Sequence, residues 1–164
     1  MIVRIAAAGL MLAALLPSAA GARLTERPAA PPDRDLFFVP LNGTFESPFG
    51  YRWGRLHEGI DIGAWAHTEV YAALSGQVIA VGWLRNYEGY GLVIKIRHER
   101  VIVTMYAHLA RSLVKRGDRV AEGQLIGRAG CTGSCYGIHL HFQVWVNGTL
   151  TNPLRFLGNR VRLR

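Results

Sequence analysis

The sequence is short of charge, short of cysteine and, after its first 22 residues, without long apolar runs. Only 18% of its 164 residues are charged and 50% are hydrophobic, which excludes a disordered chain and leaves enough apolar side chains for one core. Acidic residues are the scarcer sign, 11 against 19 basic ones, for a net charge of +8. The basic residues are scattered and no nucleic-acid motif accompanies them, so no nucleic-acid partner is expected; they read as solvated surface or as attraction to anionic polymers. Two cysteines, Cys131 and Cys135, are too few for a thiolate metal cluster, and their spacing in GCTGSCYG suits a small disulfide loop in an oxidising compartment. An all-helical bundle is excluded as well, because 19 glycines and seven prolines would have to sit in helices at about 1–3 kcal/mol each.

The one long apolar run is at the start. Arg4 precedes an uncharged stretch from Ile5 to Leu16, followed by Pro17 and then Ala20, Gly21 and Ala22. This pattern predicts a signal peptide over 1–22, cleaved after Ala22, and a product exported to the periplasm or cell envelope. The competing reading is an uncleaved anchor, since Ile5 to Ala22 is at the lower limit for spanning a bilayer. No cysteine stands near the cleavage site to take a lipid, and nothing downstream approaches the length of a membrane span, so no span is expected after cleavage. Residues 23–35, with three prolines among several charges, predict an exposed arm. The folded domain is expected over 36–158, with a basic tail over 159–164.

From Leu36 onward short apolar runs alternate with glycine turns, at 76–83, 91–98, 101–108, 124–129 and 139–146. None is long enough for an amphipathic helix of several turns. Glu99 and Arg100 can close a hairpin between two runs, and Asn147-Gly148 is a strong two-residue turn after another. Only 107–115 offers room for a helical turn. The expected fold is therefore all-β, an antiparallel sheet folded on itself with short helical excursions.

Alternation along 139–146 puts Leu140, Phe142, Val144 and Val146 on one face and His139, His141, Gln143 and Trp145 on the other. The two histidines are then about 6.6 Å apart along the strand, close enough for one to bind a metal while the other works beside it. The same alternation aligns Thr104, Tyr106 and His108 opposite Val103, Met105 and Ala107, which supplies a third imidazole. In the segment His57-Glu58-Gly59-Ile60-Asp61 a straight strand would hold His57 and Asp61 about 13 Å apart, too far to share an ion. The chain must bend between them, and Gly59 is where bending is cheapest. Tyr51, Trp53, Tyr90 and Trp145 are expected to pack in the core, with Trp145 the best exception because it shares the face of the two histidines. His67 and His98 read as surface or strand-end residues.

Taken together, SPFGYR at 47–52, HEGIDIGA at 57–64, GYGLVIKIRH at 89–98, YAHL at 106–109, VKRGDRVAEGQLIG at 114–127, TG at 132–133 and GIHLHFQV at 137–144 resemble the zinc endopeptidases of the lysostaphin and LytM type, peptidase family M23, which cut peptides of the bacterial cell wall. The resemblance runs from about Ser47 to Pro153. It implies a LytM-like antiparallel barrel-sandwich and one Zn²⁺ held by His57, Asp61 and His141, with His108 and His139 as catalytic histidines. It does not divide the work between those two. Three protein ligands leave a fourth zinc position open, as a catalytic site requires. Cys131 and Cys135 depart from the family pattern, and a disulfide there is expected to stiffen a loop beside the groove while leaving catalysis intact.

The leading reading is a monomeric, exported zinc endopeptidase acting on peptidoglycan stems or crosslinks. The alternative is a noncatalytic wall-binding module or an activator of other wall hydrolases on the same fold, a fate that follows loss of ligands. A carrier domain of the lipoyl or phosphotransferase type, suggested by VKRGDRVAEGQLIG, lacks a modifiable lysine at a suitable tip and does not suit export.

Overall fold

The computed structural model describes residues 37–99 and 101–157. The expected signal peptide at 1–22, the arm at 23–35 and the tail at 159–164 lie outside the described residues. In chain order the strands are β1 (Thr44–Ser47), β2 (Gly50–Arg52), β3 (Arg55–His57), β4 (Ile60–Gly63), β5 (Glu69–Tyr71), β6 (Gly76–Trp83), β7 (Leu92–His98), β8 (Ile102–Ala107), β9 (Leu109–Ser112), β10 (Arg119–Val120), β11 (Leu125–Ala129), β12 (His139–Val146) and β13 (Thr149–Thr151). A 3₁₀ turn at Glu88–Tyr90 and one helical turn, α1 (Leu154–Leu157), complete the described elements. No helix among the described residues is long and apolar enough to cross a membrane.

All strand pairs are antiparallel. The large sheet runs β1-β4-β12-β8-β7-β6-β10, with β13 also against β12; β5-β11-β9 forms a second sheet and β2-β3 a separate hairpin. The long strands β6, β7, β8 and β12 are the β-branched and aromatic runs of the sequence, whose side chains suit a pleated, half-buried surface. Ile60, Ile62, Ile94, Ile96, Tyr106, Leu140 and Phe142 from the large sheet share one core with Val70, Leu109, Ile126 and Ala129 from the small one. The small sheet thus covers one face of the large sheet and leaves part of the other for the cleft described below. At the Asn147-Gly148 turn both residues have positive φ, 51° and 75°, as a type I′ hairpin requires, and the register closes at Val146↔Thr149.

Three expectations need correction. Residues 107–115 form no helical turn: the chain leaves β8 directly into β9, where Leu109 is buried and the backbone pairs with β11. The helical turn is at α1 instead, where the Asn152 side-chain oxygen accepts from the Leu154 N–H ahead of a Pro153 start and Phe156 stacks on Phe37 at 4.7 Å.

The second correction concerns the faces of β8. Register places Ala107 opposite His141 and Met105 opposite Gln143, so those two, and not Thr104 and Tyr106, share the histidine face. Thr104 and Tyr106 are fully buried in the core, where their hydroxyls are satisfied internally. His98 Nε2 meets Thr104 Oγ1 at 2.8 Å, Thr104 donates to Tyr106 Oη at 3.1 Å, and the Ala73 N–H donates to Tyr106 Oη at 2.8 Å. Burial pushes the Tyr106 hydroxyl up to about 12. Third, His98 ends β7 as expected but is a core residue, 5% exposed, rather than a surface one.

Candidate metal centre

The β2-β3 hairpin delivers His57, the chain turns at Glu58-Gly59, and β4 delivers Asp61. The bend brings His57 Nε2 to 3.2 Å from Asp61 Oδ1. Glycine is needed there for close approach: a Cβ on Gly59 would sit 2.4 Å from the Phe142 carbonyl oxygen and 2.8 Å from His141 Nε2. Because β4 lies against β12 with Asp61 opposite His141, the third group arrives from the neighbouring strand. His141 Nδ1 is 2.7 Å from Asp61 Oδ1 and 3.1 Å from His57 Nε2.

The donor chemistry of this trio fits a divalent cation. His57 gives its Nδ1 proton to the Pro48 carbonyl at 2.6 Å, so Nε2 presents a lone pair to the centre. A single imidazole proton from His141 satisfies one of the three mutual contacts, whereas a cation satisfies all of them. Ligands about 2.0–2.1 Å from a tetrahedral zinc lie about 3.3 Å from one another, close to the spacing seen. Burial works to raise the Asp61 pKa, but hydrogen bonds and charge interactions with His141 and His57 outweigh it and hold the carboxyl well below the usual carboxylate range. Burial pushes His141 down despite Asp61, which keeps the ring neutral, as a ligand must be. The second Asp61 oxygen is 3.6 Å from Arg52 Nη2.

His108 and His139 flank the trio, their rings 4.6 Å apart between centroids. Strict alternation along β8 would send His108 into the core beside Tyr106. A left-handed φ of 58° at His108 itself turns the side chain to the other face. Each ring is tied by its far nitrogen: His108 Nδ1–H donates to Thr132 O at 2.8 Å and His139 Nδ1–H to Gly137 O at 2.7 Å, which leaves both Nε2 atoms free. Burial, aided by the nearby His139 and His141 and opposed by the Thr132 contact, pushes His108 down to about 4. His139 Nε2 stands 3.7 Å from Asp61 Oδ1, outside the close trio. Alternation alone cannot choose between His139 and His141; this geometry places His141 in the trio.

Behind His141 is a polar set that the sequence reading missed. Gln143, fully buried, has Nε2 3.0 Å from His141 Nε2 and donates to Tyr90 Oη at 2.9 Å; Tyr90 in turn donates to Glu58 Oε2 at 2.7 Å. Gln143 was visible through its alternation with the two histidines, but Tyr90 and Glu58 meet it only through the tertiary fold.

The trio lies in a cleft of about 860 Å³, also lined by Arg52, Trp53, Arg55, Tyr87 and Tyr136. Trp53, at the tip of the β2-β3 hairpin, is 92% exposed and Tyr51 is 82% exposed, so neither packs in the core as expected. Trp145, expected to pack but the best candidate for the groove, lies under the Lys95 ammonium at 4.6 Å and packs beside Val93 and Met105. His67 is exposed. Cys131 and Cys135 are joined in a disulfide, with Cα atoms 5.3 Å apart.

Residues 55–153, more than half of the chain, match the sequence model of peptidase family M23. Over 99 residues the chain is 40% identical to the peptidoglycan DD-endopeptidase ShyC of Vibrio cholerae, covering 60% of this chain and 22% of that protein. The fold is similar to the catalytic domain of the antimicrobial peptidase lysostaphin from Staphylococcus simulans, with a TM-score of 0.61, 36% identity, and coverage of 68% of this chain and 89% of that domain. It is also similar to a zinc-containing peptidase from Vibrio cholerae, with a TM-score of 0.56, 33% identity, and coverage of 74% and 37%. The chain spans about a quarter of the length of the first curated relatives it matches.

Proposed function

The chain belongs to peptidase family M23, and on that premise we propose that it is an exported zinc endopeptidase that hydrolyses peptide bonds in bacterial peptidoglycan. The observation that carries the proposal is the convergence of five side chains at one cleft: His57, Asp61 and His141 as a close trio of metal donors, and His108 and His139 beside it with free Nε2 atoms. A zinc ion held by the trio would supply Lewis acidity toward a carbonyl oxygen and lower the pKa of water to roughly 7.

The protein's own part is proton handling and orientation. With Nδ1 committed to a backbone carbonyl, His108 and His139 each turn Nε2 to the cleft as the nitrogen that can act as a base. One takes the proton of the attacking water and returns it to the leaving amine. The other accepts the second proton of that water as the added hydroxyl gives it up, donates it from Nε2 as a hydrogen bond to the oxygen on which negative charge develops, and releases it to the departing amine. Burial favours the neutral form of His108, whose bare Nε2 can then accept a proton. Arg52 beside Asp61, and Trp53 and Tyr136 on the cleft walls, leave an open groove for an extended peptide. The name of the ShyC relative, a peptidoglycan DD-endopeptidase, supports peptidoglycan as the substrate.

Location and state belong to the same proposal: cleavage of the signal peptide after Ala22, release to the periplasm or cell envelope, and action as a monomer. The noncatalytic alternative is favoured where ligands are lost, and here all five positions are filled. Mass analysis of purified peptidoglycan digested by the protein tests the reading. New amine ends are expected without new glycan reducing ends, abolished by a chelator and restored by zinc. Unchanged digestion in excess chelator, or no product from several wall chemistries, contradicts it.

A further inference from the structure

The loop that joins β11 to β12 is closed at its base by pairing of Gly130 with His139, and from Cys131 to Ile138 no residue is buried. No apolar contact in the core fixes its shape, and Tyr136 at its crest is fully exposed. Yet this loop supplies both carbonyls that orient the two flanking histidines, Thr132 O to His108 and Gly137 O to His139.

Those carbonyls are held differently. Thr132 is anchored by its hydroxyl, which donates to Leu109 O at 2.9 Å and accepts from the Leu92 N–H at 2.9 Å, and the neighbouring Ser134 N–H reaches Gly89 O at 2.9 Å. Beyond Ser134 the ties become local: the Cys135 N–H donates to Gly133 O at 3.1 Å, within the loop itself. Between Cys135 and Ile138 the chain is held on one side by the Ala64 N–H donating to Ile138 O at 3.1 Å, and on the other by the bond from Cys135 to Cys131. A Cβ on Gly137 would meet nothing within 4 Å, so surrounding bulk does not confine that peptide. The Cys135 sulfur lies 2.8 Å from Gly137 O and 3.8 Å from His139 Nδ1.

We propose that the Cys131–Cys135 disulfide is a positioning pair for His139: it fixes the Gly137 carbonyl that retains the ring proton on Nδ1, and so keeps Nε2 bare toward the cleft. A neutral imidazole carries one proton, and the partner of one nitrogen decides which nitrogen has it. Without the cross-link, a short segment with no buried residue regains conformational freedom and Gly137 O leaves its post. The ring then protonates in part on Nε2, where it no longer serves as a base. His108 keeps its tautomer, because Thr132 is anchored independently. The consequence for turnover rests on the peptidase reading above; the consequence for the ring does not.

The test compares the zinc-loaded oxidised protein with the same protein treated with tris(2-carboxyethyl)phosphine. The phosphine becomes its oxide with oxygen from water, and the two sulfurs become thiols carrying that water's hydrogens. Ring ¹⁵N shifts report tautomers, and kcat, KM and zinc content are measured alongside. His139 is expected to lose its pure Nδ1–H form while His108 retains it. Turnover falls about 10-fold with KM changed by less than about twofold, as for a misplaced reacting group. Zinc stays near one equivalent, and reoxidation restores all readings. A Cys131→Ala/Cys135→Ala variant should reproduce the reduced state. Unchanged His139 shifts on reduction, a rise in KM at constant kcat, or equal loss at His108 overturns the proposal. Should the oxidised protein prove inactive on every wall chemistry, the peptidase reading fails while the ring shifts still decide this one.

Discussion

Substitution of Gly59 by alanine should damage the metal centre from a residue that bears no ligand. The new methyl carbon would lie 2.4 Å from the Phe142 carbonyl oxygen, 2.8 Å from His141 Nε2 and 2.9 Å from Gln143 Cγ. Close carbon–oxygen contacts settle near about 3.3 Å, so one side must retreat by about 1 Å. Strand β12 is the poorer candidate to move, because it is paired on both sides by β4 and β8 and carries the buried Phe142 and Val144. The Glu58-Gly59 bend therefore shifts and takes His57 away from Asp61 and His141. Overpacking of this kind costs about 1–3 kcal/mol of stability, and a displacement of about 1 Å at a reacting centre costs about 10²-fold in turnover. Zinc affinity from chelator competition and kcat on peptidoglycan, both on folded protein, measure the effect. Gly54→Ala is the control: at φ 75° but with nothing within 4 Å, it should lose about 1–2 kcal/mol of backbone energy and leave zinc binding alone. Wild-type zinc affinity and turnover in Gly59→Ala would refute the reasoning.

Two further predictions concern the core. Tyr106→Phe removes the hydroxyl that accepts from the Ala73 N–H and from Thr104, leaving a buried donor unsatisfied, and should cost about 1–3 kcal/mol in denaturant unfolding with the zinc content unchanged. His98 is buried and its pKa is pushed below the ordinary 6.5 by burial, in spite of its contact with Ser75 O. The unfolded chain therefore takes up a proton below pH 6.5 that the folded chain resists; stability from this group is full above that pH and is lost as pH falls. Thermal unfolding of His98→Gln should show a shallower acid-side decline than the wild type, and an equal slope would contradict the linkage.

Much of the fold was readable because its long strands are unbroken β-forming runs bounded by glycine. The bend between His57 and Asp61 followed once the resemblance made both ligands of one ion, since a straight strand cannot bring them together. Reading failed where two faces of a strand look alike. In β8, Thr104 and Tyr106 look like a polar face, but their hydroxyls pair with His98 and the Ala73 N–H inside the core. His108 reached the cleft by a route alternation does not contain, a left-handed residue at the strand's end. The preference for His141 over His139 rested on the family resemblance, because alternation cannot choose; the structure adds the register of β12 against β4, which sets His141 opposite Asp61. Tyr90 and Glu58 were hidden because they are brought to Gln143 from distant segments.

The division of the five residues into ligands and proton carriers is the centre of this account, and zinc content measured on single alanine variants tests it most directly. His57→Ala, Asp61→Ala and His141→Ala should lose zinc and activity together, since each removes one member of the trio proposed to hold the ion. His108→Ala and His139→Ala should keep close to one equivalent of zinc while turnover falls by about 10²-fold or more. Loss of zinc from His139→Ala with retention in His141→Ala would reverse the roles assigned to the two histidines of β12.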